Sequence, residues 1–578
     1  MKTVLFLLSF SIVVQSMMVT GALNVCVSTI EKLYQYRSFH IAFIDMCYNI
    51  GFALSAFTLG YVVTKRKMKW IGLGMFLIFV GCIVFIIPTF IVKNYNVKGI
   101  KALLVCSNIS DDRPVECHYG TYGFLAIMCS GYMIIGIGAA PLHTIAINVM
   151  QENTSPTQGG LFNGIYYTFA ALGPALMFVV YSFIIKIPFR IVKDAHDILS
   201  PRDEGWVGAY WIVYVMGGAL ALAISIPIYF FPVNIKYRRS ISENAERITI
   251  QRFWCITKRV ATNKEFILVS MAMFFDGMMN NAIGVFLSKY TEAQFKISSD
   301  RAALFSGLII VIGAAIGLFS GGLLIKIYNW NNRKLILTTA LISSIGIFTL
   351  FFLFFRCSDN PINGVLPDQN SIKFEKTLAI QCNCNILEYY PVCVDERKSY
   401  YSPCSIGCRS QNIQDDGSYT FSNCSTEYVS TPEVIVKQGR CSIACKIIVI
   451  FMITAFISLV TEFIMYIPQI TYTMRVLDDE TRLCGLSLQQ IFVRISYMIG
   501  PVYQGKFFDW SCTIFAPTVN CSNTSNCIDY DLKNLSFSFA IPAIAQKFLA
   551  TMCLFLAVYF SKKELRIKAH EMEVNPQA

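Results

Sequence analysis

Phe52–Val92 reads FALSAFTLGYVVTKRKMKWIGLGMFLIFVGCIVFIIPTFIV. Two apolar runs, belonging to stretches near 39–63 and 70–92, flank a turn that carries Lys65, Arg66, Lys67 and Lys69. Each run has the roughly 20 residues a helix needs to cross a bilayer. A knot of cations between them cannot be left in lipid. The unit is therefore a membrane hairpin with a basic turn. Further apolar stretches lie near 3–27, 122–147, 161–186, 206–231, 266–289, 303–327, 335–355, 447–472, 484–507 and 538–560. Composition agrees: 55% of the 578 residues are hydrophobic and 15% charged, whereas soluble chains carry about 25% charged residues. The expected fold is an all-α membrane protein of twelve spanning helices.

The twelve stretches fall as six plus six, which is the arrangement of the major facilitator superfamily, built from repeated halves. Residues 1–231 form the first half, 232–265 a linker, 266–356 with 447–561 the second half, and 562–578 a tail. Gly60–Lys69 after the second span and Gly322–Lys334 after the eighth are both short, glycine-led and basic, a hint of that repeat. The start could pass for a secretory signal, but its apolar run continues to Val27 behind a single lysine, which fits a first span better. The net charge of +12 does not indicate nucleic acid. The cations sit in short loops, as membrane topology requires, rather than as a stripe on a soluble domain. Lys65–Lys69, the linker cations Lys236 to Arg259 and Lys562–Lys568 all fall on one face, read as cytoplasmic with both termini.

Two other signals agree with that orientation. The N-x-S/T acceptors Asn108, Asn423, Asn520, Asn523 and Asn534 fall in outside loops, and Asn153 alone falls inside. The tightly spaced cysteines also fall outside, where disulfides persist, while the others are scattered through spans, apart from Cys255 in the linker. Residues 357–446 carry nine cysteines, too long a connection to stand without staples. Disulfides are expected among Cys106, Cys117, Cys382, Cys384, Cys393, Cys404, Cys408, Cys424, Cys441 and Cys445, with connectivity open. The odd count implies either a partner from another outside loop or one free thiol. Zinc is the competing use of such cysteines, but the loop is extracellular and lacks ligand histidines. Cys393–Cys424, with Tyr400 four positions before Cys404, resembles the Kazal fold of protease inhibitors. Asn385–Val392 stands where the reactive loop of such an inhibitor would be. Tethering between two spans favours a structural or trafficking role over inhibition.

At the outer end of the sixth span, Asp203-EG-Trp206-Val207-Gly208-Ala209-Tyr210-Trp211 resembles the signature of the organic anion transporting polypeptides, a solute carrier family. The pattern D-x-R-W-[IV]-G-A-W-W-x-G is departed from at Gly205, Tyr210 and Val213. Supporting matches are Ser28-TIE-Lys32, Trp70-IGLG, Ala171-LGPA-Leu176, Lys289-YTEAQ-Phe295 and Gly500-PVYQGKFF-Asp509, so the likeness covers nearly the whole chain. The Kazal-like loop between spans nine and ten is itself a hallmark of that family. The resemblance implies a sodium-independent carrier of large amphipathic anions such as bile salts, steroid conjugates, thyroid hormones and eicosanoids. It would act at the plasma membrane, by facilitated diffusion or in exchange for bicarbonate or another anion. The rival reading is a non-transporting surface protein whose outer domain binds a partner or a protease.

Candidate site residues are the few polar groups within spans. Arg494 is the foremost, and resembles an arginine implicated in anion binding by the family. Its alternative is an internal ion pair with Glu462 in the tenth span. Asn163, Tyr166, Asn280 and Asn281 are either substrate contacts or interhelical glue. Lys289 reads as a snorkelling residue, and Arg475 and Arg482 as topology and gate residues. Gln15 stands where some family members carry a lysine tied to anion recognition. Thr89 stands where many carry a histidine linked to acid-stimulated transport, which implies weak stimulation here. Ala139 and Ala140 stand where an acid is usual. Fewer cavity charges would shift the substrate towards less charged amphipaths. No cofactor and no catalytic or metal site is indicated. Five histidines, none in a metal-spaced pair, leave metal chemistry little to work with, and no GxxxxGK[ST] loop points to ATP drive.

Overall fold

The fold was analysed in a computed structural model. It describes residues 2–34, 36, 38–63, 66–91, 106, 122–154, 156–189, 208–231, 250–297, 299–357, the strand-forming parts of 362–445, and 445–478, 481–515 and 527–574. The first span is α1 (Lys2–Ser16), a π segment Met17–Ala22 and α2 (Leu23–Tyr34) in one continuous rod. It is followed by α3 (Ser38–Val62), α4 (Lys67–Ile91), α5 (Tyr122–Glu152), α6 (Pro156–Ile184) and α7 (Trp211–Phe230). The short helix α8 (Ile250–Thr262) lies in the linker. The second half comprises α9 (Lys264–Phe295), α10 (Ser299–Tyr328), α11 (Asn332–Thr349), α12 (Ile447–Val476), α13 (Arg482–Trp510) and α14 (Leu532–Val574).

Among the described residues, eleven helical segments are long and apolar enough to cross a membrane. The exception is α13, which is as long as the others but carries Gln489, Gln490, Arg494 and Gln504, all buried. Its polarity is turned inward, as expected of a helix lining a site. The other helices turn phenylalanines outward, among them Phe6, Phe90, Phe183, Phe230 and Phe348, which lipid tolerates and water would not. The sequence-derived bounds differ in places. The sixth span begins at Trp211 rather than 206, and α14 runs on to Val574, through most of the segment read as a tail.

The two halves meet closely at the end where α7 leads towards α8, here the linker face. A Cβ added at Gly164 of α6 would lie 2.9 Å from Gly322 Cα of α10, and one at Gly60 of α3 would lie 3.0 Å from the Ser487 side chain of α13. Backbones can come this near only because the side chains there are absent or small. The linker-face end is thus closed by two helix crossings, related as the fifth span is to the eighth and the second to the eleventh.

On the face opposite the linker, here called the outer face, the chain between α11 and α12 forms a small stapled β-domain. Strands β1 (Ile362–Asn363), β4 (Val392–Val394), β5 (Lys398–Tyr400), β6 (Ser410–Ile413), β7 (Tyr419–Ser422) and β8 (Val436–Gln438) make one sheet, ordered β1-β5-β4-β8-β7-β6. A separate hairpin joins β2 (Val365–Pro367) to β3 (Ile372–Phe374). The domain core is Val392, Val394, Tyr400, Ile406, Cys408, Phe421 and Val436, too few residues to hold a fold without cross-links. Cys357–Cys445, Cys393–Cys441 and Cys408–Cys424 supply them, and Cys404 is also disulfide-bonded. Cys106, from the loop between α4 and α5, bridges to Cys382 and donates its backbone N–H to Cys408 O at 2.8 Å. Cys382, one of the nine, thus takes its partner from another outer loop. Cys117, Cys384 and most of Asn385–Val392 lie outside the described residues. The last outer loop pairs β9 (Cys512–Phe515) with β10 (Cys527–Tyr530) and closes on Cys512–Cys527.

Candidate functional site

Arg494 lies mid-way along α13, 8% exposed, against the first half of the molecule. Its guanidinium carbon is 3.9 Å from the centre of the Phe52 ring, 5.4 Å from Tyr48 and 5.6 Å from Tyr497. Aromatic faces attract a cation most when water is excluded. Arg494 Nη1 donates to Asn49 Oδ1 at the long distance of 3.5 Å, and Nε has no partner. Asn49 in turn donates from Nδ2 to Asp45 Oδ2 at 3.2 Å, so the carboxylate reaches the arginine through a neutral amide. The guanidinium is held by rings and retains donor capacity.

Gln15 belongs to the same group. Its Nε2 donates to Tyr48 OH at 3.0 Å, two residues before the π segment of the first span. Such segments are frequent at functional sites. On the other side an aromatic chain runs Phe52, His143, Tyr167, Tyr466 with ring centroids 5.5, 6.1 and 5.1 Å apart, crossing from the first half to the second. Gln490 Nε2, one turn before Arg494, is buried without a partner.

The remaining predicted residues divide. Asn163 is fully buried with neither side-chain atom partnered. Tyr166 gives its hydroxyl to Leu142 O at 2.8 Å, and Asn281 gives its amide to Tyr497 O at 2.7 Å, so both are committed to helix packing. Lys289 stands over the rings of Phe508 and Tyr530 at 5.6 and 5.8 Å near the outer end. Arg475 donates to Trp330 O at 2.7 Å and Arg482 to Met474 O at 2.9 Å, fastening turns on the linker face. The alternative pairing of Arg494 with Glu462 is not formed. Glu462 Oε2 accepts from Lys547 Nζ at 2.8 Å instead, because Lys547 is fully buried between α9 and α12 and needs the carboxylates there.

The signature residues that are described fold back on the end of α6. Gly208 bridges to Pro188, Ala209 N donates to Ile187 O at 2.9 Å, and Trp211 opens α7. Asp203 and Trp206 lie outside the described residues, as do Asn108, Asn520 and Asn523. Asn423 is exposed at the end of β7, whereas Asn534 sits in the first turn of α14 with its amide on Asp531 Oδ2 at 2.8 Å. Sequence reasoning passed over Asp45, Asp276 and Lys547. Each is a charge inside an apolar run, the same signal that singled out Arg494.

Beyond the spans, Asp529 on β10 accepts from Lys296 Nζ at 2.7 Å and Arg440 Nη1 at 2.8 Å. Burial pushes its carboxyl up, but the two cations overrule that and hold it below the ordinary 3.8. One carboxylate thereby fixes the end of α9, the base of the β-domain and the last outer loop.

The sequence profile of the Organic Anion Transporter Polypeptide (OATP) family matches residues 3–535. Mouse solute carrier organic anion transporter family member 4A1 is 25% identical over 608 residues, covering 99% of this chain and 83% of that protein. Human member 4C1 is 26% identical over 574 residues, covering 93% and 78%. Among solved structures, the major facilitator superfamily transporter FucP in the outward conformation superposes with a TM-score of 0.55 at 15% identity, covering 96% of this chain and 98% of that one. The proton:xylose symporter XylE gives 0.54 at 11% identity, covering 97% and 96%. These likenesses concern fold: the chain has the major facilitator superfamily architecture.

Proposed function

The chain belongs to the Organic Anion Transporter Polypeptide family, and from that premise we propose that it carries large amphipathic organic anions across the plasma membrane by alternating access. The substrates expected are bile salts, steroid conjugates, thyroid hormones and eicosanoids, taken without sodium. Bicarbonate or another anion would travel the other way. Family and fold are those of transporters rather than enzymes. Both termini and the linker are assigned to the cytoplasm.

The observation that carries this reading is Arg494, a cation buried where the two halves meet, bounded by aromatic rings and with Nε unpartnered. An anionic head would take the guanidinium, and the rings of Phe52, Tyr48 and Tyr497 would accept an apolar body. Closure of the linker face by Gly60 and Gly164 supports an outward-opening form of the cycle. With Gln15 and Thr89 in place of charged groups, one positive centre does the recognition, favouring singly charged amphipaths.

The test is uptake of an anionic steroid conjugate into cells expressing the full chain, in sodium-free medium, with and without bicarbonate loading. A charge-assisted hydrogen bond contributes about 1.5–3 kcal/mol, so Arg494→Ala should cut uptake roughly 10- to 100-fold at unchanged surface amount. Arg494→Lys should recover part of it. Terminal tags readable only after permeabilisation check the orientation. A chain that reaches the surface, moves no anion, and binds a protease through its outer domain would sink the proposal.

A further inference from the structure

Three charged side chains meet half-way along the spans of the second half, away from Arg494. Lys547 Nζ of α14 donates to Asp276 Oδ1 of α9 at 3.0 Å and to Glu462 Oε2 of α12 at 2.8 Å. Lys547 is fully buried, and Glu462 and Asp276 are 5% and 7% exposed. Gln469 Nε2 donates to Asp276 Oδ2 at 3.2 Å, so both oxygens of that carboxylate are partnered. Glu462 Oε1 is buried and has no hydrogen-bond partner. Gly346 of α11 makes the space: a Cβ there would lie 2.9 Å from Lys547 Cε and 3.0 Å from Glu462 Oε1.

The charges do not balance. One ammonium and two carboxylates leave a net −1 inside the membrane, which low-dielectric surroundings strongly disfavour. Among the described residues no further charged group is paired with the triad. Asn280 of α9 brings only an amide beside Glu462. Cys553 of α14 lies near Asp276. The α10 helix packs on α12 through Gly317 and Gly321, its charged residues being at its ends. From α6 and α13, Tyr167 and Arg494 act on Tyr466, a turn from Glu462, and Arg494 is engaged by Asn49 and the rings.

We propose that Glu462 Oε1 holds one exchangeable proton, taken up from or released to water as the two halves change the side to which they open. This rests on the alternating-access reading above. In the closed surroundings the triad is neutral: Asp276 ionised, Lys547 cationic, Glu462 protonated. When water reaches α9, α12 and α14, the Glu462 O–H bond breaks, its electron pair stays on the carboxylate, and the proton passes to water. The triad then carries −1, which only a hydrated state supports. A change of access is thereby coupled to one proton, at mid-membrane rather than at the outer end of α4. Such a site would give transport a response to acid that does not depend on the position of Thr89.

The test uses the full chain in lipid vesicles. Infrared difference spectra between two pH values should show the C=O stretch of a buried protonated carboxyl that shifts in deuterated water. The band should vanish in Glu462→Gln. It should also vanish in Asp276→Asn, where one ammonium and one carboxylate already balance and Glu462 stays ionised. A band that survives in both variants, or none titrating in the parent chain, overturns the proposal. As a second readout, uptake of an anionic steroid conjugate under a pH difference of one unit gains at most about tenfold from one proton. That gain should be lost in both variants. The spectra need no transport, so absent uptake with a titrating band discredits only the carrier reading, and uptake without the band discredits only the proton site.

Discussion

Thr89 and Tyr210 each depart from the family pattern, and in the folded chain they touch. Their hydroxyl oxygens are 2.6 Å apart, and Tyr210 OH is 2.9 Å from Tyr34 OH. Where the pattern has histidine and tryptophan, this chain has a run of three buried hydroxyls joining α4, the start of α7 and α2. Tyr210→Phe removes the hydroxyl that Thr89 and Tyr34 share, at about 1–3 kcal/mol for a buried polar group. The purified protein should melt several degrees lower. Adding Thr89→Val should cost less than its own single change, since the pair acts as a unit. Additive melting shifts would show that the two positions are independent. The two departures are visible in the sequence one by one, but their contact is not, because 121 residues separate them. The same limit applies to Arg494 and Glu462. Both are legible as buried charges, but only the fold shows that Lys547 takes Glu462 and that Arg494 is left to rings and an amide.

At the scale of elements, the span pattern was almost fully legible, because hydrocarbon forces long apolar runs into helices. Even α13, the least apolar, is bounded at Arg482 and Trp510, close to the sequence reading of 484–507. The repeat hint also gains a physical meaning. Gly60 and Gly322, which head the two basic turns, are the residues at which α3 meets α13 and α10 meets α6. A side chain at Gly164 would press on backbone atoms, Gly322 Cα and Leu318 O. Gly164→Val should therefore hold the linker face ajar. Cys484 reports it, being buried beside Gly60 in the parent chain. Its labelling by a permeant maleimide should rise several-fold, and unchanged labelling would place the closure elsewhere. The outer elements depend on Asp529. Its carboxyl is held below the ordinary 3.8 in the folded chain. The stability it contributes is therefore complete above that value and is lost as pH falls through the lower, folded one. Asp529→Asn should cost about 3–5 kcal/mol, as for any broken buried pair. Its unfolding temperature should stay below that of the parent at neutral pH, with the gap closing in strong acid. A gap that does not narrow as pH is taken progressively below 3.8 would rule out the ion pair as its origin.

At the scale of the whole molecule, architecture was legible and assembly was not. Hydropathy divides the chain into six and six, and the cysteine cluster marks the outer domain, because both signals are local in sequence. The bridge from Cys106 to Cys382 is not local. It ties a loop of the first half to the domain of the second across 276 residues, and no spacing rule selects that pair from ten cysteines. The bridge also sets an order of events during synthesis. Cys106 is made first and must wait for its partner while 276 further residues are translated, roughly 15–55 s at ordinary elongation rates. Over that interval its thiol is open to every oxidoreductase and every wrong cysteine in the compartment. The first six spans cannot reach their final covalent form until the outer domain has emerged. A nascent chain halted before residue 382 carries an unsatisfied thiol, a mark by which the secretory machinery can tell an unfinished copy from a finished one.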